Sequence, residues 1–254
     1  MGTTSFVRFV EQFHLLFLAQ LGRRVHPSLF VLKGGCSLRF FHGSVRYSED
    51  LDLDVGDIGT QTLRDRVRDV FRSRPFAQIL EAAGVFVDRV TEPKQTETTQ
   101  RWKLSLRVES VGVPLPTKIE CSRRGLDDGV VFGSVDPSVI RAHRAPSLML
   151  SHYDAPTALR QKIGALAGRR ETQARDVFDV HHLFAAGSGP LQGGRLDRSV
   201  ADRACANAMT IDFSTFKSQV LAFLVPEDQV RFDAASVWDT IVLEVVDAIR
   251  EAAS

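Results

Sequence analysis

The chain has 254 residues, of which 44% are hydrophobic and 25% are charged, and its formal net charge is +1. This length fits one large domain or two smaller ones, and the composition excludes disordered and fibrous proteins. The near-neutral charge neither requires nor excludes a nucleic-acid partner, because phosphate affinity depends on local basic clusters rather than on the sum of charges.

No stretch of the sequence has the pattern of a membrane span or of an export signal. The most apolar long segment, residues 6 to 21, is interrupted by Arg8, Glu11 and His14. The three cysteines lie far apart, without the short pair spacing of a zinc site. We therefore expect a cytoplasmic protein with reduced cysteines and no membrane partner.

The first elements alternate between helix and strand patterns. Apolar residues at spacings of three and four predict a helix over residues 5 to 21, and a short apolar run predicts a buried strand over 29 to 32. A turn at Gly34 and Gly35 follows, and then a short helix over 37 to 41.

The middle of the chain predicts more strands. Residues 50 to 55 alternate aspartate with leucine or valine, which is the period of a strand with one acidic face. A helix over 60 to 83, kinked near Pro75, should follow. The remaining predictions are strands over 85 to 90, 102 to 108 and 117 to 121, with a loop over 91 to 100.

From residue 156 onward the patterns are helical. They predict helices over 156 to 167, 172 to 186 and 234 to 252, and a Gly-rich loop over 187 to 194. We therefore predict an α/β (α+β) fold with two domains. Residues 1 to 145 would form a mixed sheet flanked by helices, and residues 146 to 254 a mainly α-helical C-terminal domain.

The acidic strand is the first candidate for chemistry. Asp50, Asp52 and Asp54 would project from one face, where three like charges repel one another unless a cation lies among them. Mg²⁺ is the natural cation, since it prefers carboxylate and phosphate oxygens. In an isolated strand, however, such a pattern is more often a solvated face.

The context of this strand favours phosphate chemistry. Gly34 and Gly35 precede a helix whose first N–H groups could hold a triphosphate. Two-metal phosphoryl transfer also requires a third carboxylate on a neighbouring strand, and Glu120 is the only acid in the run over 117 to 121. We therefore predict Glu120 as a further metal ligand, although a lone glutamate in a strand is usually a surface residue.

A second group of charges lies in the helical half, at Lys162, Arg169, Arg175, Asp176 and Asp179. The two aspartates are three residues apart and share one face of a predicted helix. Taken alone, this pattern is typical of an ordinary helix pair with surface ion pairs. A histidine lies three residues after Asp179, but no third ligand of matching spacing follows it, so we predict no zinc site.

Separate blocks of the sequence resemble one known family. The strings LKGGCSLR at residues 32 to 39, RYSEDLDL at 46 to 53 and RDVFD at 175 to 179 resemble the AbiEii-like nucleotidyltransferase toxins. This family includes the MenT-like toxins and is part of the DNA polymerase β-type nucleotidyltransferase superfamily. The spacing from the glycines to Asp50 is longer than in the superfamily pattern, so the metal pair could be Asp50 with Asp52 or Asp52 with Asp54.

The resemblance implies roles for the matching residues. Gly34, Gly35 and Ser37 would hold the triphosphate, and Asp50 with Asp52 would hold Mg²⁺. Lys162 and Asp176 would make catalytic or nucleotide contacts. The other residues that we predict to bind the nucleotide are Lys33, Arg46, Ser48 and Arg169.

The family implies a toxin that transfers a nucleoside monophosphate from an NTP to an acceptor, typically the 3′ end of tRNA. A separately encoded antitoxin would restrain it. Two alternatives stay open: an acceptor that is a small molecule or a protein, and a non-catalytic protein that binds RNA or an antitoxin. Since a pure binder has no physical reason to keep a self-repelling row of carboxylates, we predict a Mg²⁺-dependent enzyme.

Overall fold

A computed structural model describes residues 3–187 and 196–253 of the chain. The predicted Gly-rich loop lies outside these residues, apart from its first glycine. Contacts divide the chain into two compact units, Met1–Gly43 with Tyr47–Tyr153 and Ser44–Arg46 with Asp154–Ser254. The domain boundary predicted at residues 145 and 146 lies ahead of the last strand of the first unit.

The first unit contains a mixed sheet of seven strands in the order β3-β4-β5-β2-β1-β7-β6. Strand β2 lies between β1, which is antiparallel to it, and β5, which is parallel to it. The strands are β1 (Phe30–Lys33), β2 (Asp50–Val55), β3 (Val85–Gln95), β4 (Thr99–Val108), β5 (Leu115–Ser122), β6 (Val130–Ser134) and β7 (Met149–Tyr153).

Helices of the first unit pack on this sheet through apolar stripes. In the first helix, Phe13 and Phe17 recur at helical spacing and are fully buried. Burial of each such side chain stabilises the fold by roughly 2 kcal/mol. The helices are α1 (Thr3–Leu21), α2 (Gly34–Phe41), α3 (Thr60–Phe71), α4 (Arg74–Ala82) and α5 (Pro137–Ala142).

The second unit is helical, and an aromatic cluster forms part of its core. Phe216 stacks on Trp238 with ring centroids 4.5 Å apart, and the Trp238 indole N–H donates to the Ile211 carbonyl. The helices are α6 (Ala155–Gly168), α7 (Ala174–Ala185), α8 (Arg198–Ala208), α9 (Phe213–Gln219), α10 (Pro226–Phe232) and α11 (Ala235–Ala253). None of the helices in residues 3–187 and 196–253 combines the length and apolar character that crossing a bilayer requires.

The predicted mixed sheet with helices is confirmed, but two local predictions were wrong and two strands were missed. Residues 91 to 100 are mostly strand, because β3 is an edge strand whose polar side chains face solvent while its backbone pairs with β4. The helix over 60 to 83 is two helices, and Pro75 lies in the first turn of the second, which Ser73 caps. Strands β6 and β7 were not predicted.

Candidate active site

The alternation of β2 places a row of carboxylates on one face of the sheet. Asp50, Asp52 and Asp54 alternate with buried apolar residues. In the parallel strand β5, Glu120 lies opposite Asp52, and Lys118 lies opposite Asp50. Residues opposite one another in neighbouring strands project from the same face. Asp50, Asp52 and Glu120 therefore form one group, which we call the carboxylate cluster.

Two basic side chains partly neutralise the carboxylate cluster. Lys118 Nζ lies 3.2 Å from Asp50 Oδ2 and 3.7 Å from Glu120 Oε2. Arg101, on β4, donates to Glu120 at 2.7 Å. The Asp52 carboxylate makes no hydrogen bond or ion pair with any residue that the structure describes. Three acids thus share two cations, and the central acid has no direct partner.

The surroundings of Asp52 disfavour its charged form. Burial raises the pKa of Asp52 above its usual range, Lys118 opposes this rise, and the charges of Asp50 and Glu120 add to it. The charged form is therefore held at a cost to stability at neutral pH. A carboxylate in this state is stabilised by any further cation that reaches it.

Asp54, the third acid of the row, has a different environment. It forms an ion pair with Lys33 and accepts a hydrogen bond from the Tyr153 hydroxyl at 2.9 Å. That hydroxyl in turn accepts from the backbone N–H of Asp127 at 3.1 Å. Asp54 is buried, and each of its two carboxylate oxygens has a partner. The ammonium of Lys33, a predicted nucleotide-binding residue, is therefore engaged by Asp54.

Helix α2 begins against the carboxylate cluster. Gly34 has a φ of +68°, and a Cβ at this position would lie 2.8 Å from Asp52 Oδ2, so a larger residue would strain the backbone and displace the Asp52 carboxylate. Gly34, Gly35 and Ser37 all lie in the first turn, and Lys33 provides no side-chain cap. The N–H groups of a first turn have no partner within their own helix. The buried Ser37 hydroxyl also has no hydrogen-bond partner in the part of the chain that the structure describes.

A chain of hydrogen bonds fixes the backbone at the start of β2. Ser48 Oγ donates to the Asp50 carbonyl at 2.9 Å. Thr117 Oγ1 donates to the Glu49 carbonyl at 2.7 Å and lies 2.8 Å from His14 Nε2. Burial lowers the pKa of His14 to about 3, so its ring is neutral. Since Thr117 donates to Glu49, His14 is the donor to Thr117.

Sequence reasoning missed several of these residues. Lys118 could have been found, because it lies two residues before Glu120 in a strand and must share its face. His14 and Tyr153 carry no local signal, since each reaches the site through the fold alone. The structure places Glu120 opposite Asp52 on the neighbouring strand, and its role as a metal ligand stays a prediction.

The second unit holds a separate ion network, made of Arg46, Lys162, Arg169, Asp176 and Asp179. Arg46 binds Asp179 with two hydrogen bonds, at 3.1 and 2.9 Å. Lys162 Nζ lies 2.7 Å from Asp179 and 3.4 Å from Asp176. Arg169 pairs with Asp176. Four predicted site residues thus belong to one network, in which Asp179, an aspartate that was not assigned a role, joins Arg46 to Lys162.

The ion network is buried and well compensated. The side chains of both aspartates are 0% exposed, and that of Arg46 is 5% exposed. Burial opposes the charged form of Asp179, but Arg46 and Lys162 outweigh it and lower the pKa of Asp179 to about 2. Helix α7 turns Asp176 and Asp179 inward against cations, so these acids do not form a solvated helix face.

The predicted residues thus fall into two groups, one in each unit. Asp50, Asp52 and Glu120 lie together at the start of α2, which carries Gly34, Gly35 and Ser37, whereas Arg46, Lys162, Arg169 and Asp176 belong to the ion network. Within residues 3–187 and 196–253, no three His, Cys, Asp or Glu side chains are arranged as a metal site. In the carboxylate cluster, Lys118 and Arg101 contact the oxygens that such an arrangement would use.

Solved structures share this fold. MenT4, a nucleotidyltransferase toxin from Mycobacterium tuberculosis H37Rv, is 18% identical with a TM-score of 0.62, covering 99% of this chain and 86% of that one. JHP933 from Helicobacter pylori is 20% identical with a TM-score of 0.56, covering 96% of this chain and 90% of that one. No curated protein sequence matches the chain. Residues 16–236 match the family described as nucleotidyl transferase AbiEii toxin, type IV TA system, and the chain therefore belongs to the AbiEii family of nucleotidyltransferase toxins.

Proposed function

We propose that this protein transfers a nucleoside monophosphate from an NTP to the 3′ end of tRNA in the cytoplasm, where both substrates occur. The tRNA hydroxyl would bond to the α-phosphorus while the bond between the α- and β-phosphates breaks and pyrophosphate leaves. One observation carries the proposal. Asp52 lies between two other acids with no direct partner of its own, and the first turn of α2 lies against its carboxylate. A fold tolerates such an arrangement more readily when a cation and an anion come to it together.

Mg²⁺ fits the residues that are present. Carboxylate oxygens are its preferred protein ligands, and the raised pKa of Asp52 means that a cation there relieves an existing penalty. We propose Asp50 and Asp52 as the main ligands and Glu120 as the third. When bound, Mg²⁺ would activate the acceptor hydroxyl and neutralise charge on the phosphates. The Lys118 ammonium, which lies 3.2 Å from Asp50 Oδ2, would have to move away when Mg²⁺ binds.

The environment of Asp54 supports the pair Asp50 and Asp52 over the pair Asp52 and Asp54. Both oxygens of Asp54 are engaged, one by Lys33 and one by the Tyr153 hydroxyl, and its side chain is 6% exposed. Asp50, in contrast, is 29% exposed and has Lys118 alone as an ion-pair partner among the described residues. A ligand therefore reaches Asp50 with fewer contacts to break.

The triphosphate would bind at the first turn of α2. The free N–H groups and partial positive charge of a helix start favour phosphate oxygens. Gly34 lets the backbone approach Asp52 closely, Gly35 follows in the same turn, and the buried Ser37 hydroxyl offers an unused donor. Ser48 would act indirectly, by holding the Asp50 backbone.

For the ion network we propose a supporting role in nucleotide binding. It contains three cations and two carboxylates, so it keeps a net positive charge for phosphate. Arg169 is its most exposed member at 39%. Asp176 has no exposed surface, so it would act through Lys162 and Arg169, which it orients.

The test is to incubate the protein with MgCl₂ and each of the four α-labelled NTPs in turn, with separate pools of tRNA, protein and aminoglycoside. We expect label from one NTP on tRNA, and none with Asp50→Asn. Asp54→Asn is the matched control, since it removes an acid of the same row and should leave transfer by the folded fraction in place. Label on the protein or aminoglycoside pool would identify a different acceptor. Label transferred to tRNA by Asp50→Asn would contradict the proposed mechanism.

The antitoxin is the remaining partner. Type IV toxin–antitoxin systems pair each toxin with a separately encoded antitoxin, and we propose that one restrains this protein. Co-expression with the product of an adjacent gene should restore growth that the protein alone arrests. Failure to arrest growth would count against a toxin role without bearing on the transfer reaction.

A further inference from the structure

A cavity of about 350 Å³ lies in the first unit, between α1 and the turn that follows α5. Its lining combines two guanidinium groups with an amide, an imidazole and an aromatic ring, and it contains no acid. The residues that line it are Arg8, Phe9, Gln12, Ala142, His143 and Arg144. Its size is that of a site for a nucleotide unit.

The guanidinium groups of Arg8 and Arg144 are available to a ligand. Neither Arg8 nor Arg144 forms an ion pair or side-chain hydrogen bond with any residue in the described ranges. Glu11, which lies on the same helix as Arg8, is buried and already bonded to His143 at 2.6 Å and to Arg39 at 3.0 Å. The cavity therefore presents two positive charges that no carboxylate of its lining cancels.

The backbone at Arg144 would suit glycine better than arginine. Arg144 has a φ of +49°, the one positive φ among the non-glycine residues described. It follows α5, and the N–H of Ala145 returns to the Ile140 carbonyl, which is the pattern of a helix ending that favours glycine. Arginine is strained in this conformation, so the position supplies a charge at some cost to the backbone.

A chain of side-chain contacts links His143, in the lining of the cavity, to the segment that precedes Asp50. Glu11 joins α1 to Arg39, and the Arg39 guanidinium lies over the Tyr47 ring at 4.5 Å. Burial raises the pKa of Tyr47 and Glu11 adds to the rise, while Arg39 and Arg8 oppose it, so Arg8 lies within electrostatic reach of Tyr47. Tyr47 directly precedes Ser48, which donates to the Asp50 carbonyl.

We propose that this cavity binds phosphate groups of the RNA acceptor strand, with Arg8 and Arg144 as the phosphate contacts and Phe9 as apolar surface for a base. The proposal rests on RNA as the acceptor. Guanidinium groups bind phosphate oxygens in paired hydrogen bonds, and aromatic rings accept bases without reading their sequence. A free nucleotide shares this chemistry, and the experiment separates the two sources.

The test measures binding of fluorescein-labelled tRNA to the full chain, without NTP or Mg²⁺, over a range of salt concentrations. The test variant is Arg8→Gln with Arg144→Gly, because glycine removes the second charge and suits the backbone. The matched control is Arg66→Gln with Arg89→Gln, two exposed arginines of the same unit that have no ion pair among the described residues.

We expect the test variant to bind tRNA about tenfold to a hundredfold more weakly. The slope of the logarithm of the binding constant against the logarithm of the salt concentration should be smaller by about one to two. The control should bind as the unchanged chain does. Equal weakening in both double variants would overturn the proposal, because it would reflect net charge alone. Binding of millimolar AMP or inorganic phosphate that the test variant loses, with tRNA binding intact in the same variant, would assign the cavity to a free nucleotide and also overturn the proposal.

The outcome is separable from that of the transfer reaction. Asp50→Asn should bind tRNA normally in this assay, because the cavity does not include Asp50. A test variant that binds tRNA normally while Asp50→Asn loses transfer would refute the cavity assignment and leave the enzyme intact. Loss of tRNA binding in the test variant, in a protein that transfers no nucleotide, would leave the cavity in place and refute the reaction.

Discussion

In the first unit, three carboxylates share the charges of Lys118 and Arg101, whereas in the second unit two carboxylates share three cations. The pKa values follow this difference: that of Asp52 is raised, and that of Asp179 is lowered to about 2. Both aspartates experience burial, which disfavours their charge. The direct cation partners of Asp179 account for the opposite result.

This contrast separates two uses of acidic residues. The ion network is complete as it stands, so its acids stabilise the second unit and orient its cations. The carboxylate cluster is incomplete, since Asp52 lacks a direct partner, and an added cation would lower its energy. An acid that is poorly compensated by its own chain is the better candidate for metal-dependent chemistry.

The largest effect should come from Asp52→Asn. Loss of the central carboxylate should reduce nucleotide transfer by about 10⁴-fold, or roughly 5 kcal/mol, because it removes a metal ligand. The same change removes a repelled charge, so the free energy of unfolding should stay level or rise. Transfer assays and denaturant unfolding on one preparation test both parts, and a marked loss of stability would contradict the comparison.

Asp179→Asn should have the reverse profile. Arg46 and Lys162 would remain buried without their shared carboxylate, so the free energy of unfolding should fall by about 3 to 5 kcal/mol. Asp239→Asn is the matched control, because Asp239 is exposed in the same unit, and its change should stay within about 0.5 kcal/mol. Urea unfolding of the three proteins measures the difference, and equal stabilities would show that the ion network contributes little.

Acid should affect the two clusters with opposite sign. The lowered pKa of Asp179 contributes about 2 kcal/mol of stability above pH 4, and this contribution is lost as the pH falls towards 2. The raised pKa of Asp52 instead imposes a penalty that appears as the pH rises through that pKa. The free energy of unfolding, measured from pH 2 to 7, should therefore fall less steeply towards acid in Asp179→Asn than in the unchanged chain. Identical pH dependence in the two proteins would contradict a stabilising role for the Asp179 charge.

The carboxylate cluster was accessible to sequence reasoning because its geometry is local. A period of two fixes Asp50 and Asp52 on one face of β2, and the same period in β5 fixes Glu120 beside Lys118. The one non-local step, the pairing of β2 with β5, brought Glu120 opposite Asp52 as expected.

The ion network was not accessible in the same way. Arg46 and Asp179 are 133 residues apart, and no local pattern links them. Acids spaced by three on a helix ordinarily indicate a solvated face, and here tertiary partners overrule that pattern. The strand β6 was missed for a similar reason, since its five residues gain stability from pairing with β7 rather than from an alternating pattern of their own.

The smallest expected effect concerns Lys118, the cation that Mg²⁺ would displace. Because Lys118 is 28% exposed, Lys118→Gln should lower the free energy of unfolding by at most about 1 kcal/mol. Addition of MgCl₂ should then stabilise Lys118→Gln more than the unchanged chain, since Asp50 and Glu120 have lost their shared cation. Arg66→Gln removes an exposed cation of helix α3, away from strands β2 and β5, and is the matched control that should respond as the unchanged chain does. Asp52→Asn should gain least from MgCl₂, and an equal response in all four proteins would mean that the ion binds elsewhere.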